Sequence, residues 1–199
     1  LFLEWPERFN AFTQRPNSAD QVWINLSASK LGAEKRDSIL KDYDQGRPIF
    51  PLFPRKRLQR RADKNWPEES WRGFISLLIE EFDPIIILCG APSGAYFSGE
   101  KNTRNIINII DEDPEIILDL QLAFLDIAEV SIHGRSGSCY LSFQNGCKTF
   151  MAGPEKDRER ICILDNPTKG DILYYTDYGV CPPVEKFFEK FKNYYLGQI

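Results

Sequence analysis

The chain of 199 residues carries 25 basic and 29 acidic side chains, a formal net charge of -4, and 42% hydrophobic residues. Those values describe an ordinary globular domain with an appendage, large enough to bury a core. They argue against the strongly basic surface that coats nucleic acid, and no apolar run, the longest being Ile85–Cys89, approaches the roughly 20 residues that cross a bilayer.

The chain starts at Leu1, which reads as the boundary of a fragment or of a processed chain, and nothing beside it resembles a targeting segment. Five widely spaced cysteines with no Cys-x-x-Cys pair suggest neither a zinc site nor a redox motif. Reduced thiols in a cytoplasmic protein are the expectation.

Residues 1–46 are polar and weakly periodic, with room for a strand around Gln21–Leu26 and a helix around Ala33–Tyr43. A division falls near Gly46-Arg47-Pro48. From Pro48 onward, strand and helix patterns alternate. Ile49–Phe53, closed by Pro54, reads as a buried strand. Trp66-Pro67-Glu68-Glu69 reads as a helix start, because proline suits the first turn and acids favour the positive end of the helix dipole. Trp71, Phe74, Ile75, Leu78, Ile79 and Phe82 then keep helical spacing until Asp83-Pro84.

Ile85–Leu88 is continuously apolar, as suits a parallel strand covered on both faces. Further strands are expected at Ile106–Ile110, Val130–His133 and Thr149–Ala152, with weaker signals at Ile161–Leu164 and Ile172–Tyr175. Ile117, Leu120, Phe124, Ile127 and Ala128 form a helical stripe. A short helix spans Cys139–Asn145, and Phe187, Phe188, Phe191 and Tyr195 mark a closing one. The alternation predicts an α/β fold: a doubly wound, mostly parallel Rossmann-like sheet with helices on both faces. Ligands of such sheets bind beyond the carboxyl ends of the strands, which selects the loops after Phe53, Cys89 and His133.

The first of these loops concentrates Arg55, Lys56, Arg57, Arg60, Arg61 and Lys64. In an acidic protein that cluster suits an anion such as a diphosphate, although a solvated charge run has the same composition. The loop after His133 reads Gly134-Arg135-Ser136-Gly137-Ser138 and opens a helix, so small residues and free N–H groups could admit phosphate; turn geometry alone would also explain them. His133 is the single histidine, which excludes any His–His metal site and reads as structural. Gly90–Gly94 could pass a ribose or base, or simply turn the chain.

Taken in order, these pieces resemble the C-terminal domain of the heptosyltransferase-like glycosyltransferases, which face two Rossmann-like domains in a GT-B fold. Lys64-Asn65-Trp66-Pro67-Glu68-Glu69 is similar to the family's basic-Trp-Pro-x-Glu helix start, and Leu88-Cys89-Gly90-Ala91-Pro92 to its glycine turn. The family's strongest signature is Asp-Ser/Thr-Gly, a histidine three residues on, then Ala-x-x-x-Gly and a strand ending in glycine. The run from Arg135 to Gly146, followed by Thr149–Gly153, matches its spacing, with Arg135 in place of the acid and Tyr140 in place of the histidine. The resemblance covers roughly residues 48–155.

It implies that residues 47–199 form a nucleotide-sugar-binding domain and residues 1–46 a linker or the remnant of a preceding domain. A nucleotide-diphosphate sugar would be held by Arg55, Arg57, Lys64, Gly90, Ser93, Arg135, Ser136, Gly137, Ser138 and Tyr140. Arg135 would neutralise leaving-group charge. Transfer would be inverting, with no metal and no other cofactor. The acceptor, a glycan or lipid-linked molecule of lipopolysaccharide type, and its general base would belong to an N-terminal domain that residues 1–46 are too short to form. Nucleic acid is not an expected partner, and a cytoplasmic location with peripheral association at the inner membrane is. The rival expectation is a non-catalytic nucleotide- or anion-binding scaffold of the same fold, which the Arg135 and Tyr140 departures favour.

Overall fold

The computed structural model describes residues 25–44, 46–58, 62–164 and 170–199. Most of the strand expected at Gln21–Leu26, and Arg60 and Arg61 of the basic loop, lie outside the described residues; Asn25 and Leu26 themselves are not in a strand.

In chain order the elements are α1 (Lys30–Leu40), β1 (Ile49–Phe53), α2 (Glu68–Phe82), β2 (Ile85–Leu88), β3 (Ile106–Asn108) and α3 (Ile117–Leu125). There follow β4 (Ser131–His133), α4 (Cys139–Asn145), β5 (Thr149–Ala152), β6 (Ile172–Tyr175) and α5 (Val184–Tyr195). Six strands make one sheet in the order β3-β2-β1-β4-β5-β6, and every pairing is parallel. The doubly wound expectation holds, because side chains alternate along each strand and both faces are covered. Phe50, Leu52, Ile86, Leu88, Ile132 and Phe150 pack with Trp71, Phe74 and Leu78 of α2 and Phe187 and Phe191 of α5. Ile49, Phe53, Ile85, Ile87 and Ile107 face the other way, against Leu40 of α1 and Leu120 and Phe124 of α3.

Pro51 sits inside a central strand, where a lost donor should disrupt pairing. The carbonyls of Pro48 and Leu52 accept from β2-side amides, whereas that of Ile49 accepts from Glu129. Odd positions of β1 therefore face β4, so the N–H absent from Pro51 would have pointed there. Correspondingly, the β1–β4 register begins only at Leu52↔Ile132.

Two local expectations need correction. Ile161–Leu164 is not a strand but part of a π-helical turn, Arg160–Leu164. The sheet position beside β5 is taken by β6, and the turn instead buries Ile161 among Cys139, Phe143, Met151 and Tyr174. The third strand ends at Asn108 rather than Ile110, because the Asn108 side chain accepts from the Ile110 amide and turns the chain. Ahead of Gly46, α1 packs on α3: Ser29 caps α1 and binds Asp119 through its own amide (2.7 Å) and hydroxyl (2.5 Å).

Candidate functional site at the switch point

Strand β1 pairs with β2 on one side and β4 on the other. The connection after β1 runs to β2 and that after β4 runs to β5, in opposite directions, which makes this the switch point where doubly wound sheets open a crevice beyond the carboxyl ends. The basic loop divides there. Arg55 bridges to Ala95, its guanidinium lies beside Gly94, and the Lys56 amide donates to the Gly94 carbonyl (2.9 Å). The Lys56 ammonium stands 5.5 Å from the Tyr96 ring centre. Both cations thus accompany the loop after β2.

Arg57 goes the other way. Its backbone is locked to Asn65, which accepts from the Arg57 amide and donates to its carbonyl, each at 2.9 Å. Its guanidinium donates to the Lys64 carbonyl (3.1 Å) and to the Arg135 carbonyl. Lys64 reaches this place through a 3-10 turn, Ala62–Lys64, and the next residues anchor it: buried Trp66 donates to the Pro182 carbonyl (2.8 Å) and packs on Trp71 and Phe187. Pro67 caps α2, and Glu68 and Glu69 occupy its first turn.

The loop after β4 is built for close packing beneath and openness above. A side chain at Gly134 would meet the Trp71 ring at 3.3 Å, whereas one at Gly137 would meet nothing within 4 Å. The Trp71 indole N–H is buried and has no acceptor among the described residues. Ser138, the N-cap of α4, makes no side-chain cap bond; its hydroxyl lies 2.5 Å from that of Ser136 instead. Among the described residues, no hydrogen bond uses the amides of Gly137 or Ser138.

The guanidinium of Arg135 is directed at Asp157, with Nε and Nη2 at 3.1 and 3.0 Å from one carboxylate oxygen. Side-chain exposures of 11% and 20% make this a largely buried pair. Burial opposes ionisation of Asp157, but Arg135, with Arg160 and Lys64 nearby, holds its pKa below the ordinary value. Burial likewise opposes the charge on Arg135, and Asp157 outweighs it, raising the pKa.

Three other expected residues stand apart. Gly90, two residues beyond β2, has φ +139°, where a side chain would strike Ala95 at 2.8 Å, and its carbonyl accepts from Gln121. Ser93 is exposed in the turn that follows. Tyr140 packs its ring edge-on to Phe143, 5.6 Å away. The structure therefore gathers Arg57, Lys64, Arg135, Ser136, Gly137 and Ser138 around the β1–β4 crevice, and it leaves Arg55, Gly90 and Ser93 with the β2 loop. Asp157 was not legible as a site residue, although it too lies beyond a strand's carboxyl end. Neither was Ser142, which pairs with His133 across nine positions.

No protein-family profile matches the chain, and no curated protein sequence does either. Two solved structures do. One is the E. coli ADP-heptose LPS heptosyltransferase II, with TM-score 0.60 and 14% identity over 89% of this chain. The other is the E. coli heptosyltransferase WaaC with ADP, with TM-score 0.52 and 16% identity over 80%. This chain spans about half of each, 55% and 48% respectively. At such identity the likeness speaks for the fold: the chain has a heptosyltransferase-like architecture, a Rossmann-like α/β domain matching one half of a GT-B glycosyltransferase.

Proposed function

We propose that this chain is the donor-binding half of a glycosyltransferase and takes a nucleotide-diphosphate sugar at the β1–β4 switch point. The observation that carries the reading is the position of Arg57. By donating to the carbonyls of both Lys64 and Arg135, it ties the main chain at Lys64 to that at Arg135, next to Ser136–Ser138, which supports placing both at one site. Lys64 supplies the positive charge, and the amides of Gly137 and Ser138 with the serine hydroxyls supply donors around an unobstructed glycine. Hydrogen bonds to a charged group contribute about 1.5–3 kcal/mol each, so a few suffice to hold a diphosphate. Arg135 acts on leaving-group charge only in company with Asp157, which leaves Lys64 the larger share.

In this reading the transfer is inverting and metal-independent, as the heptosyltransferase resemblance implies. The acceptor is a glycan or lipid-linked molecule presented from a facing domain, with the protein at the cytoplasmic side of a membrane. No described helix is long and apolar enough to cross one.

A second reading, a nucleotide- or anion-binding scaffold without catalysis, is favoured by the Arg135–Asp157 pair, which neutralises internally the position where the family carries an acid.

Calorimetry with ADP, UDP and GDP, with and without EDTA, tests the site. Binding of at least one diphosphate, unchanged by EDTA, is expected. No binding, or strict dependence on magnesium or manganese, overturns the proposal. Acceptor-dependent turnover by the full two-domain protein separates transferase from scaffold.

A further inference from the structure

His133 is fully buried at the end of β4, stacked on Phe53 with ring centres 4.2 Å apart and planes 11° from parallel. Its nitrogens reach two serines. Nε2 lies 2.8 Å from Ser142 Oγ, and Nδ1 lies 3.5 Å from Ser138 Oγ. Ser138 Oγ is in turn 2.5 Å from Ser136 Oγ. Four side chains thus form one string from inside α4 to Ser136, in the loop after β4.

The buried end decides the direction of the string. Ser142 has no exposure, and His133 is the only partner of its hydroxyl among the described residues. Were the ring proton on Nε2, the Ser142 hydrogen would be left without an acceptor, at a cost of about 1–3 kcal/mol. Ser142 therefore donates to Nε2. Burial pushes the His133 pKa down to about 3, so the ring is neutral and its one proton sits on Nδ1. Nδ1–H then donates to Ser138 Oγ, and Ser138 donates to Ser136. The Ser136 hydroxyl accepts that bond and has no acceptor of its own among the described residues. Ser136 is itself buried, at 4% exposure, so its proton is left for an acceptor seated directly against the loop.

We infer that His133 is a positioning residue: through Ser138 it orients the Ser136 hydroxyl as a donor toward an anionic oxygen bound at the Ser136–Ser138 loop. The inference rests on the reading of that loop as a diphosphate site. A freely rotating serine can turn a lone pair toward an anion; the string removes that alternative and so lowers the ordering cost of binding. His133 does not touch the ligand, and its effect is exerted through two hydroxyls.

As the only histidine, it gives a single imidazole signal. Long-range proton–nitrogen NMR on the labelled protein should show a neutral ring with the proton on Nδ1 from pH 5 to 8. A proton on Nε2, or titration within that range, overturns the inference. Binding of ADP, UDP, GDP and inorganic pyrophosphate is then compared by calorimetry. His133→Phe combined with Ser142→Ala keeps the stack on Phe53 and leaves no orphaned hydroxyl; affinity should fall roughly fivefold. His133→Asn, whose amide N–H can replace Nδ1–H, should retain affinity near the wild type. Ser138→Ala breaks the string between His133 and Ser136 and should weaken binding as the double variant does, which keeps the test alive if that variant fails to fold. Wild-type affinity in the double variant or in Ser138→Ala overturns the inference alone. Failure of the wild type to bind any of the four ligands overturns the site reading itself.

Discussion

The guanidinium of Arg57 donates to the main-chain carbonyl of Arg135, and this bond ties the loop leaving β1 to the loop leaving β4. The same side chain holds the Lys64 carbonyl. Arg57→Ala should therefore loosen both walls of the crevice at once and weaken diphosphate binding about tenfold, equivalent to about 1.4 kcal/mol. Arg57→Lys should restore little, because a point charge cannot span two carbonyls as a planar fork does. Calorimetry on the folded variants checks this, and near-native binding by Arg57→Lys would show that charge alone matters.

Gly137→Val should leave the fold intact, since an added Cβ meets nothing within 4 Å. A branched side chain over the open loop should nonetheless keep phosphate from the amides and reduce binding at least about tenfold. A well-folded variant with unchanged affinity would place the diphosphate elsewhere.

Gly90 should behave oppositely. At φ +139° and with Ala95 in the path of a side chain, Gly90→Ala should destabilise the domain by roughly 1–3 kcal/mol. Thermal melts should show the loss while the fraction that remains folded binds with ordinary affinity. A binding defect without a drop in Tm would make Gly90 a ligand contact rather than a turn.

The Arg135–Asp157 pair makes a pH-dependent contribution. With the folded pKa of Asp157 lowered, the unfolded chain takes up the proton more readily, so stability is present above about pH 4 and lost as pH falls through the folded value. Asp157→Asn should remove that increment: the variant should be less stable at neutral pH and its denaturant midpoint flatter as pH falls below about 4. Asp83, Asp111 and Asp119 are also lowered, so the difference between the two proteins is the informative quantity. Identical pH profiles would show the pair to be energetically silent.

The described residues form one Rossmann-like unit, and the transfer proposed above needs an acceptor oxygen held in line with the anomeric carbon and a base near its proton. These 199 residues should therefore bind donor nucleotide yet give no acceptor-dependent nucleotide release. A longer chain carrying a facing domain should give it with matched acceptors. Equal turnover by both would place the acceptor machinery within this chain.

Sequence alone determined the elements whose signal is local. Ile85–Leu88 is apolar at every position and is buried at every position, and the stripe of Trp71, Phe74, Ile75 and Leu78 is the buried face of α2. Burial on both faces of a parallel strand, or one face of a helix, leaves a pattern that needs no partner to be read. The alternation of those patterns, with the Trp-Pro-Glu-Glu start and the glycine turns, was enough for the doubly wound sheet and for the loops at its carboxyl ends.

Tertiary structure alone decided which cations of one loop share a crevice. Arg55 and Arg57 are two residues apart, yet one follows the β2 loop and the other reaches Arg135, 78 positions away. It also decided that Arg135 meets Asp157, that His133 joins Ser142 to Ser138, and that β6 rather than Ile161–Leu164 completes the sheet. Each of these is a contest between partners that are not neighbours in the chain, from five to 78 positions apart, settled by packing geometry and by the cost of leaving a buried polar group unpaired. Neither leaves a periodic trace along the chain.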